Sequence, residues 1–319
     1  MSPSGRTPLG IKQLQQKICN KEGFPDLDSY FAACKSFLEF LARVHPTRIV
    51  SPTSPNYIFF QYDKAHGHRI TRPLNADLFI EDTQTFERDL QHFRNILEVI
   101  STSRSDREEA IRKRKLEPSS IDKVVYTIQQ SLGSVGDSLQ NANQSRKRIG
   151  QLFEGLIRAI INAIGVACEP RTVKIPLPGH PGRQMSYELD LVFSRGKAIV
   201  ASETNVLSAE EIVGSVKTTS KDRIDKVFLD KFLLTRLLGR DVRVIAIFLH
   251  DVQRAKKKGN IFGVNSTFKS NHFLGYTLAL NRLDGVYYVD PRPVMTQAPE
   301  LSREISSFAR FLTTDLWKL

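Results

Sequence analysis

The sequence predicts an α/β fold, a mixed central sheet flanked by helices, with a mostly helical N-terminal region ahead of it. Three observations carry that expectation. Ile149, Leu152, Phe153, Leu156, Ile157, Ile160, Ile161 and Ile164 recur at the 3.6-residue period of one long amphipathic helix. Strand-length segments with Gly and Pro at their bends follow, between residues 172 and 203. Residues 242–249 are then almost wholly apolar, as a central strand covered on both faces must be.

Taken in order, residues 30–44 and 86–100 carry helical apolar spacing, and Tyr57 to Tyr62 reads as a short strand between them. A charged stretch from Arg104 to Lys115 reads as a solvated helix face rather than a dedicated DNA clamp. Residues 119–132 start the regular part with a helix, and the long helix begins near residues 143–145. Strands are expected over 172–176, 187–193 and 198–203, with turns at 178–182 and 195–196. Residues 214–219 are short and extended, and a helix over 222–238 is closed by Gly239. Residues 285–290 give a last strand before a C-terminal helix. The expected division is 1–118, packed on the core and contributing to DNA binding, and 119–319, the core itself.

Of the 319 residues, 40% are apolar and 25% charged, which is ordinary for a chain with a real core. Lys and Arg number 46 against 34 Asp and Glu, a formal charge of +12. Such an excess favours a polyanionic partner, because each phosphate neutralised releases a counterion. Cys19, Cys34 and Cys168 are odd in number and never spaced CxxC, which argues against a disulfide framework or zinc ribbon and suits a reducing cytoplasm. The first residues lack an apolar signal core, and no apolar stretch is long enough for a bilayer, so a soluble cytoplasmic protein with no membrane partner is expected. Phosphate-loop, dinucleotide, HExxH and GxSxG patterns are absent. His66 and His68 lack a third ligand nearby and read as a loop feature; Trp317 reads as packing.

Four charged positions remain. Asp190 ends a predicted strand, Lys217 stands on the extended segment 214–219, and Asp230 follows inside the next helix. Glu154 interrupts the apolar face of the long helix, where a carboxylate costs energy unless it meets a cation. Hydrolysis of a phosphodiester uses such a set: carboxylates hold Mg²⁺, and an ammonium stabilises charge growing on phosphate oxygens. Each residue also has a plain structural reading. Asp190 can simply end its strand, Lys217 can be a surface lysine, and Asp222, Lys226 and Asp230 form an i, i+4 ladder common on helix surfaces.

The run from Gly214 to Ile224 (Gly-Ser-Val-Lys-Thr-Thr-Ser-Lys-Asp-Arg-Ile), its continuation to Lys231, and the segment from Ser145 to Glu154 resemble the active-site region of type IIP restriction endonucleases of the EcoRII/SsoII/PspGI-like group. The resemblance spans roughly residues 119–290. It implies a PD-(D/E)xK restriction-endonuclease-like core whose second carboxylate has moved from the usual ExK strand to the neighbouring helix. Ser215 holds the vacated place and an acid appears at Asp230. The resemblance makes Asp190 and Asp230 metal ligands, Lys217 the catalytic lysine, and Glu154 a further metal-supporting acid. Relatives usually carry glutamate where Asp230 stands, and Glu203 is the reserve candidate.

The same resemblance implies base recognition by Lys221, Asp222 and Arg223 at the helix start. Arg or Lys donates to guanine O6 and N7, and an acid accepts from cytosine N4, so the triplet matches both partners of a C·G pair. Gln140, Asn143 and Gln144 compete for a minor-groove role. The implied function is type II restriction: Mg²⁺-dependent double-strand cleavage of a palindrome with CC/GG half-sites (CCGG, CCNGG or CCWGG), leaving 5′-phosphates. The implied partners are double-stranded DNA, a second copy of the chain, and a cognate DNA methyltransferase as a functional companion. A repair or mobile-element nuclease, or an inactive DNA-binding protein of the same fold, are the alternatives.

Overall fold

The computed structural model describes residues 9–66, 69–103, 106–195, 198–255 and 261–319. Residues 1–8, His68, Arg104 and Gly196 of the expected 195–196 turn lie outside the described residues. The chain forms two compact units. One takes residues up to 93, 123–152 and 252–266; the other takes 94–122, 153–251 and 267–319. No boundary between them falls at residue 118.

The chain opens with α1 (Ile11–Cys19) and α2 (Leu27–Val44). Asp26 caps α2, its carboxylate accepting from Ser29 N at 2.9 Å, and the helix buries Phe31, Phe37, Leu38 and Leu41. β1 (Thr47–Val50), β2 (Tyr57–Gln61) and β3 (Leu74–Asn75) form an antiparallel sheet in that order, so the strand expected near Tyr57 has a short partner on each side in a region otherwise mostly helical. Next come α3 (Thr83–Thr102), α4 (Arg107–Lys113), α5 (Ser119–Gly136) and α6 (Ala142–Ala163). Arg112 and Lys113 of α4 are solvated, and Lys113 pairs with Glu109 at 3.0 Å, as expected of the charged stretch.

The second unit is built on a six-stranded mixed sheet. β4 (Ala167–Pro176), β5 (Gln184–Ser194) and β6 (Ile212–Thr219) are antiparallel neighbours. After α7 (Ile224–Leu238), β7 (Arg243–His250) pairs parallel with β6. β8 (Val252–Arg254) and β9 (Val264–Ser266) return to the first unit, where Val252 and Val264 pack on Tyr57 and Phe59. α8 (Ser270–Ala279), β10 (Gly285–Tyr288), α9 (Pro293–Gln297), α10 (Pro299–Ser302), β11 (Ile305–Ser307) and α11 (Phe308–Thr313) complete the second unit. The sheet order is β11-β10-β7-β6-β5-β4. β7 is central and buried from Val244 to Leu249, which its apolar run requires.

Three expectations need correction. Residues 198–203 are not a strand. The buried Glu211 carboxylate accepts from Val200 N (2.6 Å), Ala201 N (3.1 Å) and Ser208 N (2.7 Å), taking donors that a ladder would need. β10 is not the last strand, because three-residue β11 pairs parallel beside it; so short a segment has too little periodicity to be seen in sequence. The helix expected from residue 222 begins at Ile224, since Asp222 sits in the left-handed region at φ 51°, a conformation that helices exclude and Asp tolerates. The cap by Gly239 is as expected, at φ 65°.

Candidate active site

Glu154, Asp190, Lys217 and Asp230 all belong to the second unit. β5 and β6 bring the middle two together by diverging. Their ladder ends at the pair Leu191–Gly214, beyond which β6 pairs only with β7 and β5 only with β4. The crossing is tight at Gly214, where a Cβ would stand 3.2 Å from the Phe193 ring. At the fork the Asp190 side chain replaces the missing backbone partner, accepting from Val216 N at 3.0 Å.

Asp190 is thus inside β5, not at its end, and a bulge aims it. Arg171 opposes Leu189 and Glu169 opposes Val192, so the two residues Asp190 and Leu191 face the single Pro170. Proline cannot donate to a ladder and is tolerated here because β4 is an edge strand. The bulge reverses the in–out alternation: Tyr187 and Leu189 before it, and Val192 after it, enter the same core cluster.

Lys217 completes the cluster. Its Nζ lies 2.5 Å from Asp190 Oδ2 and 3.3 Å from Glu154 Oε1, and Ser215 Oγ donates to the same Asp190 oxygen at 3.2 Å. Among the described residues no donor reaches Asp190 Oδ1 or Glu154 Oε2. Burial raises the Glu154 pKa from its ordinary value; repulsion from Asp190 adds to this and Lys217 opposes it. Two partly buried carboxylates that share one ammonium and each keep a bare oxygen are a hard-oxygen donor pair suited to a divalent cation. Among the described residues no group of three His, Cys, Asp or Glu side chains is close enough to share a metal ion, so Asp230 would join the pair only through a bridging water or a small shift.

Asp230 lines the same small cavity, of about 50 Å³, as Asp190, Ser215 and Lys217, but its oxygens are engaged elsewhere. The Tyr187 hydroxyl donates to Oδ1, and Lys226 Nζ lies 3.2 Å from Oδ2. Burial, reinforced by that hydrogen bond and the charge of Asp230, raises the Tyr187 pKa. Glu203 is outside the cluster: it is exposed and pairs with Lys174 at 2.6 Å. Arg223 lines the cavity, whereas Lys221 and Asp222 stand in the turn between β6 and α7. Gln140, Asn143 and Gln144 are exposed. Sequence reasoning missed Tyr187; its only signal was its place three residues ahead of Asp190.

No family model matches the chain, and no curated protein matches it significantly. Among solved structures it is similar to the crystal structure of the type IIP restriction endonuclease Kpn2I, with TM-score 0.66 and 18% identity, over 96% of this chain and 97% of that one. The restriction endonuclease PspGI in complex with substrate DNA is also similar, at 12% identity and TM-score 0.39, over 73% of this chain and 91% of that one. The likeness to Kpn2I shows the fold, which is that of a restriction endonuclease and is consistent with a PD-(D/E)xK-like core. No helix among the described residues is long and apolar enough to cross a membrane.

Proposed function

We propose that this chain is a metal-dependent, site-specific DNA endonuclease of the type II restriction kind. The observation that carries this reading is the seating of Lys217 between Asp190 and Glu154 at the fork of β5 and β6. Asp190 and Glu154 would hold Mg²⁺, with Asp230 facing the same cavity. When bound, the cation supplies charge neutralisation at the scissile phosphate and a more acidic water. Lys217 carries an ammonium whose position is fixed by both acids, so it can hold the attacking water and donate to a non-bridging oxygen as charge grows there. In-line attack on phosphorus breaks the bond to the 3′ oxygen and leaves a 5′-phosphate.

The charge of +12 fits a phosphate backbone as partner. Lys221, Asp222 and Arg223 follow β6 directly, within six residues of Lys217, so one segment carries both cutting and base recognition. Their donor and acceptor types fit CC/GG half-sites of the CCGG, CCNGG or CCWGG type. A palindrome calls for a homodimer with matching two-fold symmetry, and a cutter of that kind needs a cognate methyltransferase and a cytoplasmic location beside the chromosome.

Digestion of phage lambda DNA with Mg²⁺, followed by run-off sequencing of the fragments, tests the reading. Discrete bands with ends at one CC/GG palindrome are expected. A smear would remove site specificity, and intact DNA with both Mg²⁺ and Mn²⁺ would remove the nuclease reading.

A further inference from the structure

Asp230 differs from the other two acids in who holds it. Asp190 and Glu154 share Lys217, whereas both oxygens of Asp230 are taken by residues outside that trio. The two partners are unequal. Lys226 is an i, i+4 neighbour whose side chain is 63% exposed, an arrangement that water and salt loosen readily. Tyr187 is 8% exposed, its ring belongs to the core cluster with Leu189, Val192 and Val227, and its hydroxyl reaches out of that cluster to the acid. A buried phenol group must find a partner for its O–H, and here the partner is a carboxylate lining the cavity of Asp190 and Lys217.

The strand geometry gives this contact a consequence. Tyr187 and Asp190 are three residues apart on β5, so in an unbroken strand they would face opposite ways. The bulge at Asp190–Leu191 breaks the alternation, and one strand serves both the core and the site. Through Tyr187, β5 therefore sets the place of an acid on α7 as well as that of its own acid.

We infer that Tyr187 is a positioning residue of this site, holding Asp230 against β5 so that the carboxylate faces the cavity of Asp190 and Lys217. The inference rests on the nuclease reading above and names a residue through which α7 is registered on the strand. Tyr187 itself need touch neither cation nor DNA.

The test uses the full chain, without DNA, titrated calorimetrically with Mn²⁺ as the probe. Tyr187→Phe keeps the ring and deletes the hydroxyl; Asp230→Asn weakens the same contact from the other side, so the comparison stands even where one variant loses stability. Tyr187→Phe is expected to weaken Mn²⁺ binding roughly tenfold, the low end for a residue that orients a ligand. It should lower kcat at fixed Mg²⁺ while leaving KM for DNA unchanged. Asp230→Asn should give a comparable loss, and the double variant little more than either alone, because the two changes break one coupling. Wild-type Mn²⁺ affinity in Tyr187→Phe, or losses that add in full, would overturn the inference. Asp190→Asn separates the two levels. If it too leaves Mn²⁺ binding intact, the nuclease reading fails; if it abolishes binding while Tyr187→Phe does not, only the role of Tyr187 fails.

Discussion

The Lys217 ammonium lies 2.5 Å from Asp190 Oδ2, at the point where their two strands stop exchanging backbone hydrogen bonds. The same Asp190 oxygen also accepts from Val216 N and Ser215 Oγ, so three donors hold it, while no donor among the described residues reaches the other oxygen.

Lys217→Ala should therefore separate binding from cutting. Loss of the ammonium should slow single-turnover cleavage by about 10²-fold or more, the scale of losing one preorganised donor to developing charge. Binding of a specific duplex in Ca²⁺, followed by gel shift, should change little. Cleavage at the wild-type rate would remove Lys217 from the chemistry.

Arg223 should act on sequence choice. Replacing it by Ala is expected to cost about 1–3 kcal/mol of discrimination at one G·C position, the value of a bidentate contact. Competition binding between the preferred site and single-substituted sites reads this directly. Non-specific affinity and its salt dependence should fall only slightly. An unchanged preference would move recognition to other residues.

The stability of the second unit should depend on Asp122. This carboxyl is buried and accepts from Ala309 N at 2.9 Å. Burial pushes its pKa well above the usual value, Asp290 adds to the rise, and the hydrogen bonds from Ala309 and Ser307 oppose it. A raised folded-state pKa favours the protonated acid, so its contribution is full below the ordinary carboxylate pKa of about 4 and is lost as pH rises through the folded value. Asp122→Asn keeps an acceptor for Ala309 and does not titrate. Melting curves should show little difference between variant and wild type near pH 4, with the variant gaining as pH rises towards 8, by up to about 1.4 kcal/mol for each unit within the window. A constant offset across that range would contradict the assignment.

Glu211 should hold the segment from residue 198 to residue 211. Glu211→Ala leaves three backbone donors without their acceptor, at a cost of about 1–3 kcal/mol for each one that stays buried. Limited proteolysis should then cut this segment well before the rest of the second unit. Equal protection of wild type and variant would show that other contacts fix it.

The sequence carried the long elements. The stripe of α6 and the apolar run of β7 are periodic over enough residues to be legible, and Glu154 stood out as a charge on an apolar face. Lys217 and Asp190 were singled out by resemblance, spacing alone being too weak a signal, and the structure brings their side chains into contact. What stayed hidden is non-local. Glu211 draws residues 198–203 away from a strand, an effect that no local propensity encodes. The hold of Tyr187 on Asp230 joins residues 43 positions apart and leaves no periodic trace. The bulge opposite Pro170 can be seen only once the register of β4 against β5 is known.

That bulge also bears on how such a chain could change over time. One surplus residue at positions 190–191 lets the acid be re-aimed by small shifts of backbone while the pairings on either side of it, Arg171 with Leu189 and Glu169 with Val192, stay put. Deleting that residue would rotate everything upstream of it by half a strand period, turning Tyr187 and Leu189 out of the interior. The interior therefore guards the count of residues in β5, and the chemistry inherits a fixed address.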